Sequence, residues 1–269
     1  MHMHIRAPGV PFLGALTLAL ASSLALPAGA QAAPADATES NAVFSRVVVN
    51  SGNSIVLGLT TKKTVTITWT VTDPEGVAAS WAYLWHGPNI DDADGALPRG
   101  FPQGTCIVSS TDPTTSDCKV SFTIDAARDM DDSDLAGNWN VLTSAQDKTD
   151  DWTDVDAARV VRIARASRLT VNAAPEPVKK GRTITVTGKL TRANWDTNSY
   201  TAYRGRSVDL QFRKKGSNTY TTLETIVSGT GGALKTTTKA KQDGYYRFVF
   251  DGSGTTGSSK ATGDFVDVR

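Results

Sequence analysis

Between Thr64 and Thr72 the chain alternates without a break: Val65, Ile67, Trp69 and Val71 are apolar, while Thr64, Thr66, Thr68, Thr70 and Thr72 carry hydroxyls. Successive side chains of an extended strand point to opposite faces, so this run predicts a strand with one face in a core and the other in water. Such a strand cannot stand alone. It needs hydrogen-bonded neighbours and a second layer over its apolar face. Comparable short runs rich in Val, Ile, Thr and aromatic residues recur along the chain, separated by clusters of Gly, Asp, Asn and Pro, and no segment sustains a helical period. The pattern predicts an all-β protein of sandwich type.

In the first half, strands are expected at 43–50, 54–59, 64–72, 78–86, 104–109, 117–124, 138–145 and 155–163. After residue 165 the pattern restarts, with strands expected at 168–173, 183–190, 207–213, 220–227, 233–240, 245–250 and 263–268. One sandwich takes about 100 residues, so this length suits two in tandem. Charge marks the same division. Residues 31–165 hold 19 acidic against 10 basic side chains, a net of −9, whereas 166–269 hold 8 against 17, a net of +9. The expected organisation is a signal peptide at 1–30, a flexible segment at 31–42, an acidic β-sandwich at 43–165 and a basic immunoglobulin-like β-sandwich at 166–269, joined near 164–167.

The signal reading rests on Arg6, an apolar run from Val10 to Leu26, Pro27 and the small residues Ala28-Gly29-Ala30. Ser22 and Ser23 interrupt that run, which is short against the roughly 20 apolar residues of a membrane-spanning helix. No cysteine follows to accept a lipid, and the chain ends Asp267-Val268-Arg269 without an apolar tail, so a secreted, extracellular product with no membrane anchor after cleavage is expected. In that oxidising setting the two cysteines, Cys106 and Cys118, are expected to form a disulfide across one hairpin with a polar tip at 109–116.

The second half carries further signs of the immunoglobulin-like fold. Pro177-Val178-Lys179-Lys180-Gly181, followed by Ile184, Val186, Gly188 and Leu190 at period two, reads as the opening turn and second strand. Gly244, Tyr246 and Phe248 fit the tyrosine-corner pattern, with Phe248 where antibody domains have a cysteine, so Gly188 and Phe248 should pack together without a bridge. The stretches Leu169-Thr170-Val171-Asn172-Ala173, Pro175-Glu176-Pro177-Val178-Lys179-Lys180-Gly181, Asn194-Trp195, Leu210-Gln211-Phe212-Arg213 and 263–269 resemble the C-terminal domain of small secreted actinobacterial proteins of unassigned role. Some of that group carry a calcium-binding label. The resemblance covers about 100 residues, implies the same sandwich, and brings no catalytic or ligand motif with it.

Conventional catalysis finds little to work with. His86 is the one histidine left after signal removal, too few for a zinc site, and a Ser-His-Asp set would have to use it at a strand end. Gly229-Thr230-Gly231-Gly232 and Gly252-Ser253-Gly254 precede strands and lack a phosphate-binding lysine. Acidic residues cluster on loops, where nothing would raise one carboxyl to serve as a glycosidase acid. A non-enzymatic binding or structural role is therefore expected.

Two ligand classes suit the residues. Calcium takes six to eight hard oxygens, and three acidic segments offer them: Asp91, Asp92 and Asp94 with Asn89; Asp129, Asp131, Asp132 and Asp134; and Asp150, Asp151 and Asp154 with Asp147 and Asp156. None follows the EF-hand order, so a Ca2+ site would need loops to converge. The alternative is adhesion to a cell-wall or other extracellular polymer through aromatic rings and a basic sheet. Trp81, Tyr83 and Trp85 share one strand face and read first as core, whereas Trp152 and Trp195 sit in polar, loop-like surroundings that predict exposed rings. Arg204, Arg206, Arg213, Lys214, Lys215, Lys235, Lys239 and Lys241 supply the basic face, unless the oppositely charged halves dock on each other. Nucleic acid is not expected, since no recognition module is present.

Overall fold

The computed structural model describes residues 41–269. The expected signal peptide and nearly all of the expected flexible segment lie outside the described residues. The fold is almost entirely β, as the alternation predicts, with helix α1 (Ala126–Asp129) a single turn.

In the first half the strands are β1 (Val43–Val49), β2 (Ile55–Leu57), β3 (Lys62–Thr72), β4 (Val77–His86), β5 (Gly95–Leu97), β6 (Thr105–Val108), β7 (Thr115–Asp125), β8 (Gly137–Asp147) and β9 (Trp152–Arg165). They form two sheets, β1-β3-β7-β6 and β2-β9-β8-β4-β5. The apolar face of β3 does what its alternation demands: Val65, Ile67, Trp69 and Val71 are buried, together with Val120, Phe122 and Ile124 of β7, against Leu84, Trp139, Val141 and Ile163 of the other sheet. Each such side chain contributes roughly 1.5–3 kcal/mol by leaving water. The two indole N–H groups carried inside are satisfied: Trp139 Nε1 donates to Leu135 O at 2.7 Å, Trp69 Nε1 donates to Ser80 Oγ at 2.9 Å, and Ser80 Oγ donates to Ser144 O at 2.7 Å. Gly104 is required where it stands, because a Cβ there would lie 2.5 Å from the Trp69 ring. On the facing threonine side, Thr64 pairs with Thr123 and Thr66 with Ser121 across β3 and β7.

Cys106 and Cys118 face each other in register on β6 and β7 and are bonded, with a Cα–Cα distance of 4.0 Å. The expected hairpin disulfide is therefore present. It staples the edge strand β6 to its neighbour within one sheet, unlike the inter-sheet bridge of antibody domains.

The second half comprises β10 (Ser167–Leu169), β11 (Asn172–Ala174), β12 (Thr183–Asn194), β13 (Ser199–Ala202), β14 (Ser207–Lys214), β15 (Thr221–Val227), β16 (Ala233–Lys239), β17 (Gly244–Phe250), β18 (Ser259–Lys260) and β19 (Asp264–Val266). One sheet is organised around β12, which pairs with β10, β11, β13 and β16; the other has the order β15-β14-β17-β18, with β19 also on β17. Ile184, Val186, Leu190, Val208, Leu210, Tyr246 and Phe248 fill the space between them. The expected Gly188–Phe248 contact is present: a Cβ on Gly188 would lie 2.9 Å from Phe248 Cδ2.

Several elements depart from the expected boundaries. The segment 168–173 divides into β10 and β11. The stretch after Asn194, expected to be loop, continues β12 through a turn into β13. Strand β9 begins at Trp152 and carries two extra residues opposite β8 between the pairs Val141–Arg159 and Thr143–Val155. Such a bulge breaks the period-two pattern and hides the strand's true start.

The turn after β12 reaches into the first half. Ala193 and Trp195 belong to the first sandwich's core, and Tyr200 packs against it. Trp195 Nε1 donates to Gly58 O at 3.3 Å, and its backbone N–H donates to Ser133 Oγ at 3.0 Å. Alongside, Arg165 N donates to Thr255 O and Gly257 N donates to Arg165 O, while Arg162 Nη1 reaches Ser253 O at 2.9 Å. Trp195 was expected to be an exposed ligand ring; with 5% of its surface exposed it is instead a plug between the two halves. The two halves do dock, as the opposed charges allowed, but among the described residues no ion pair joins them. The ion pairs Arg46–Asp117, Lys62–Asp125, Arg128–Asp129 and Lys215–Asp243 each stay within one half, and the junction is made of apolar contacts, backbone bonds and the side-chain bonds of Arg162, Ser133 and Asp196.

Candidate binding face

Strand β4 is apolar on both sides. Ala82 and Leu84 point into the main core, so Trp81, Tyr83 and Trp85 occupy the outer face of the sheet. Tyr83 and Trp85 are buried there with Leu142 beneath Ile90, Ala93, Ala96 and Phe101, supplied by the segment that folds back after β4. The Tyr83 and Phe101 ring centroids are 4.5 Å apart, and Trp85 Nε1 donates to the Asp156 carbonyl at the β9 bulge. The row is thus core, but of a second, smaller cluster.

At the open end of this cluster the aromatic surface reaches water. Trp81 is partly exposed, and Trp152 keeps 41% of its surface exposed. The two indoles stack with centroids 5.0 Å apart and planes 26° from parallel. Across β8, Trp152 lies opposite Gln146 and Asp154 opposite Ser144, so Trp152 and Asp154 share the outer face with Trp81. Burial pushes the Tyr83 phenol up to about 12, helped by the negative charges of Asp154 and Asp156. The face therefore combines a flat exposed indole, held by a second indole, with carboxylates that accept hydrogen bonds. An indole face covers C–H groups well, and ionised carboxylates make the stronger, charge-assisted bonds to hydroxyls.

The remaining expected site residues are placed differently. Asp92 is tied to Asn89 by two bonds of 2.9 Å, and Asp94 Oδ1 meets His86 Nδ1 at 2.6 Å, while Asp91 is exposed. Asp129 is buried and accepts from Arg128 Nε at 2.8 Å and from Asp125 N at 2.8 Å, with Arg99 3.6 Å away. Burial alone would raise its pKa, but those hydrogen bonds and the two guanidiniums hold it below the ordinary 3.8. Asp132 accepts from Asp134 N, Asp150 accepts from Gln146 Nε2, and Asp131, Asp134, Asp151 and Asp154 are exposed. Among the described residues no three His, Cys, Asp or Glu side chains gather into a group that could hold a metal ion. The convergence expected of the three acidic segments is absent, because their carboxylates serve local turns, neighbouring cations or water.

His86, the sole histidine among the described residues, packs its ring 5.4 Å from Trp139, and no hydroxyl or thiol bonds to it. The pairing of Trp152 with Trp81, and the roof provided by Phe101, were missed from the sequence. The period-two spacing of Trp152 and Asp154 was a signal, but it says nothing of which strand lies alongside.

No protein-family model matches the chain, and neither does any curated protein. Among solved structures, dimeric latent PorU from Porphyromonas gingivalis is 14% identical with a TM-score of 0.28, over 87% of this chain and 21% of that one. The chain thus spans about a fifth of that protein. Fibronectin(III)-like modules of Clostridium thermocellum CbhA are 13% identical over 82% of this chain and 92% of theirs, with a TM-score of 0.37. The D00-D0 domain of intimin is 14% identical over 82% and 98%, with a TM-score of 0.27. At such scores the likeness bears on neither ligand nor role.

Proposed function

We propose that this chain is an exported, non-enzymatic binding module that holds an extracellular polysaccharide against the Trp152–Trp81 stack, with Asp154 accepting from sugar hydroxyls. The observation that carries the reading is the exposed Trp152 ring, held flat by a second indole beside an exposed carboxylate. A pyranose presents one face of C–H groups and a rim of hydroxyls, which is the complement of that surface. Non-enzymatic character is supported by cysteines that are bonded to each other and so offer no thiol nucleophile. Export is supported by the N-terminal sequence. No helix among the described residues is long and apolar enough to cross a membrane.

The test is retention of the full chain on insoluble glucan, chitin and cell-wall polysaccharide, with tryptophan fluorescence titration of soluble oligosaccharides. Binding to at least one polymer is expected, and Trp152→Ala should weaken it at least tenfold, ~1.4 kcal/mol, whereas Trp152→Phe retains part of it. Flow-through on every polymer, or equal retention of Trp152→Ala, would refute the reading.

A further inference from the structure

Strands β11, β12 and β16 contain no acidic residue. Their inward side chains, Ile184, Val186, Leu190 and Leu234, are buried in the second core. Where β12 pairs with β16, the outward positions are lysines and threonines apart from Ala233: Thr183 lies opposite Lys239, Thr185 opposite Thr237, Thr187 opposite Lys235, and Lys189 opposite Ala233. Lys189 and Lys235 are diagonal neighbours, roughly 7–8 Å apart. Lys239 follows Lys235 by four strand residues, about 13 Å further along. Lys241, two residues beyond Lys239, keeps the outward side past the end of the pair, whereas Arg182 lies beside buried Ala240, whose N–H donates to Arg182 O, and so falls on the other side. Lys189, Lys235, Lys239 and Lys241 are all exposed, and none is held in an ion pair among the described residues.

We propose that this face is a docking track for a linear, flexible polymer of repeating phosphodiesters. The charges form a line along one strand pair, which fits an extended chain better than a compact acidic protein. All four are lysines. An ammonium is a point charge without directional demands, suited to tetrahedral phosphates that present oxygens on every side, whereas planar carboxylates are better matched by the arginine fork. The intervening threonine hydroxyls can donate to the same phosphate oxygens. These strands carry no carboxylate, and the neighbouring Glu224 accepts from Thr236 on the Leu234 side of β16, away from the lysine row.

The full chain is titrated with poly(glycerol phosphate), followed by fluorescence anisotropy at several salt concentrations. Binding through four cations predicts that log affinity falls with log salt at a slope of about −3, using the value for flexible single strands. The variant Lys189→Gln/Lys235→Gln/Lys239→Gln should lose at least tenfold in affinity and flatten the slope by about 2. The corresponding Lys→Arg variant should bind, and Lys214→Gln/Lys215→Gln/Lys260→Gln, with the same net charge, should keep near-native affinity. Absent binding, equal losses in the two Gln variants, or tighter binding of polygalacturonate would each overturn the proposal. So would low-salt self-association abolished by the track variant, since the occupant would then be the acidic half of a second copy. Trp152→Ala should leave this binding unchanged, which separates it from the saccharide face.

Discussion

Replacing Trp195 by alanine tests whether the two sandwiches form one cooperative unit. The indole is covalently part of the second half but fills the core of the first, with 5% of its surface exposed. Burying a tryptophan removes about 150–250 Å² from water, and at ~25 cal/mol per Å² this amounts to roughly 4–6 kcal/mol. Truncations of this kind in cores cost about 3–5 kcal/mol after partial relaxation, and the lost bond to Gly58 O falls within that range. Because the loss sits at the junction, it should uncouple as well as destabilise. Urea denaturation followed by circular dichroism, with calorimetry alongside, is expected to show one transition in the parent chain. In Trp195→Ala two transitions should appear, the first-half transition earlier by about 4 kcal/mol. Trp195→Phe keeps most of the ring and forfeits the N–H bond, so about 1 kcal/mol is expected. A loss below about 1 kcal/mol in Trp195→Ala, with a single unchanged transition, would refute the plug reasoning.

Replacing both Cys106 and Cys118 by alanine opens a loop of sequence separation 12; equilibrium unfolding should register a loss of about 3 kcal/mol, and hydrogen exchange should rise first in β6. Asp129→Asn removes an acceptor buried beside Arg128 and Asp125 N, at a cost of about 2 kcal/mol at neutral pH. The folded carboxyl titrates below its ordinary 3.8, so its stabilisation is complete above that value and vanishes as pH falls through the lower folded pKa. The parent and Asp129→Asn stabilities should therefore converge at acid pH, and a pH-independent gap would disprove the pairing. Millimolar calcium against a chelator should leave the melting temperature nearly unchanged; a stabilisation approaching ~2.7 kcal/mol, as at 100-fold excess over a dissociation constant, would show that the acidic segments bind calcium despite their separation.

The segments most legible in the sequence were those with unbroken alternation. Thr64–Thr72, the Cys106–Cys118 hairpin and the Gly188–Phe248 contact follow from local period, redox setting and motif spacing, all of which operate over a few residues or one hairpin. Short pieces such as β5 and β18 have too few residues to show a period, and the bulge in β9 erased one that was there. Trp152 and Trp195 looked alike, since each is an indole between polar neighbours. One is half out in water and the other nearly sealed, because that outcome depends on what arrives from far along the chain: Trp81 for the first, Gly58 and Ser133 for the second.

The acidic segments teach the same distinction. Sequence shows how many carboxylates a loop owns, but whether they share a cation depends on loop convergence, and here some serve their own turns, Asp129 is held by arginines, and others such as Asp131 and Asp134 face outward singly. The sequence alone determined the all-β class, the buried face of regularly alternating strands such as β3 and the separation of charge into two halves, because those follow from period and composition. Tertiary structure decided which outward faces stay open, which rings become plugs and which lysines fall into line. Those outcomes rest on pairings between strands remote in sequence, where a bulge shifts which residues stand opposite one another and a turn can carry its side chains into the neighbouring core.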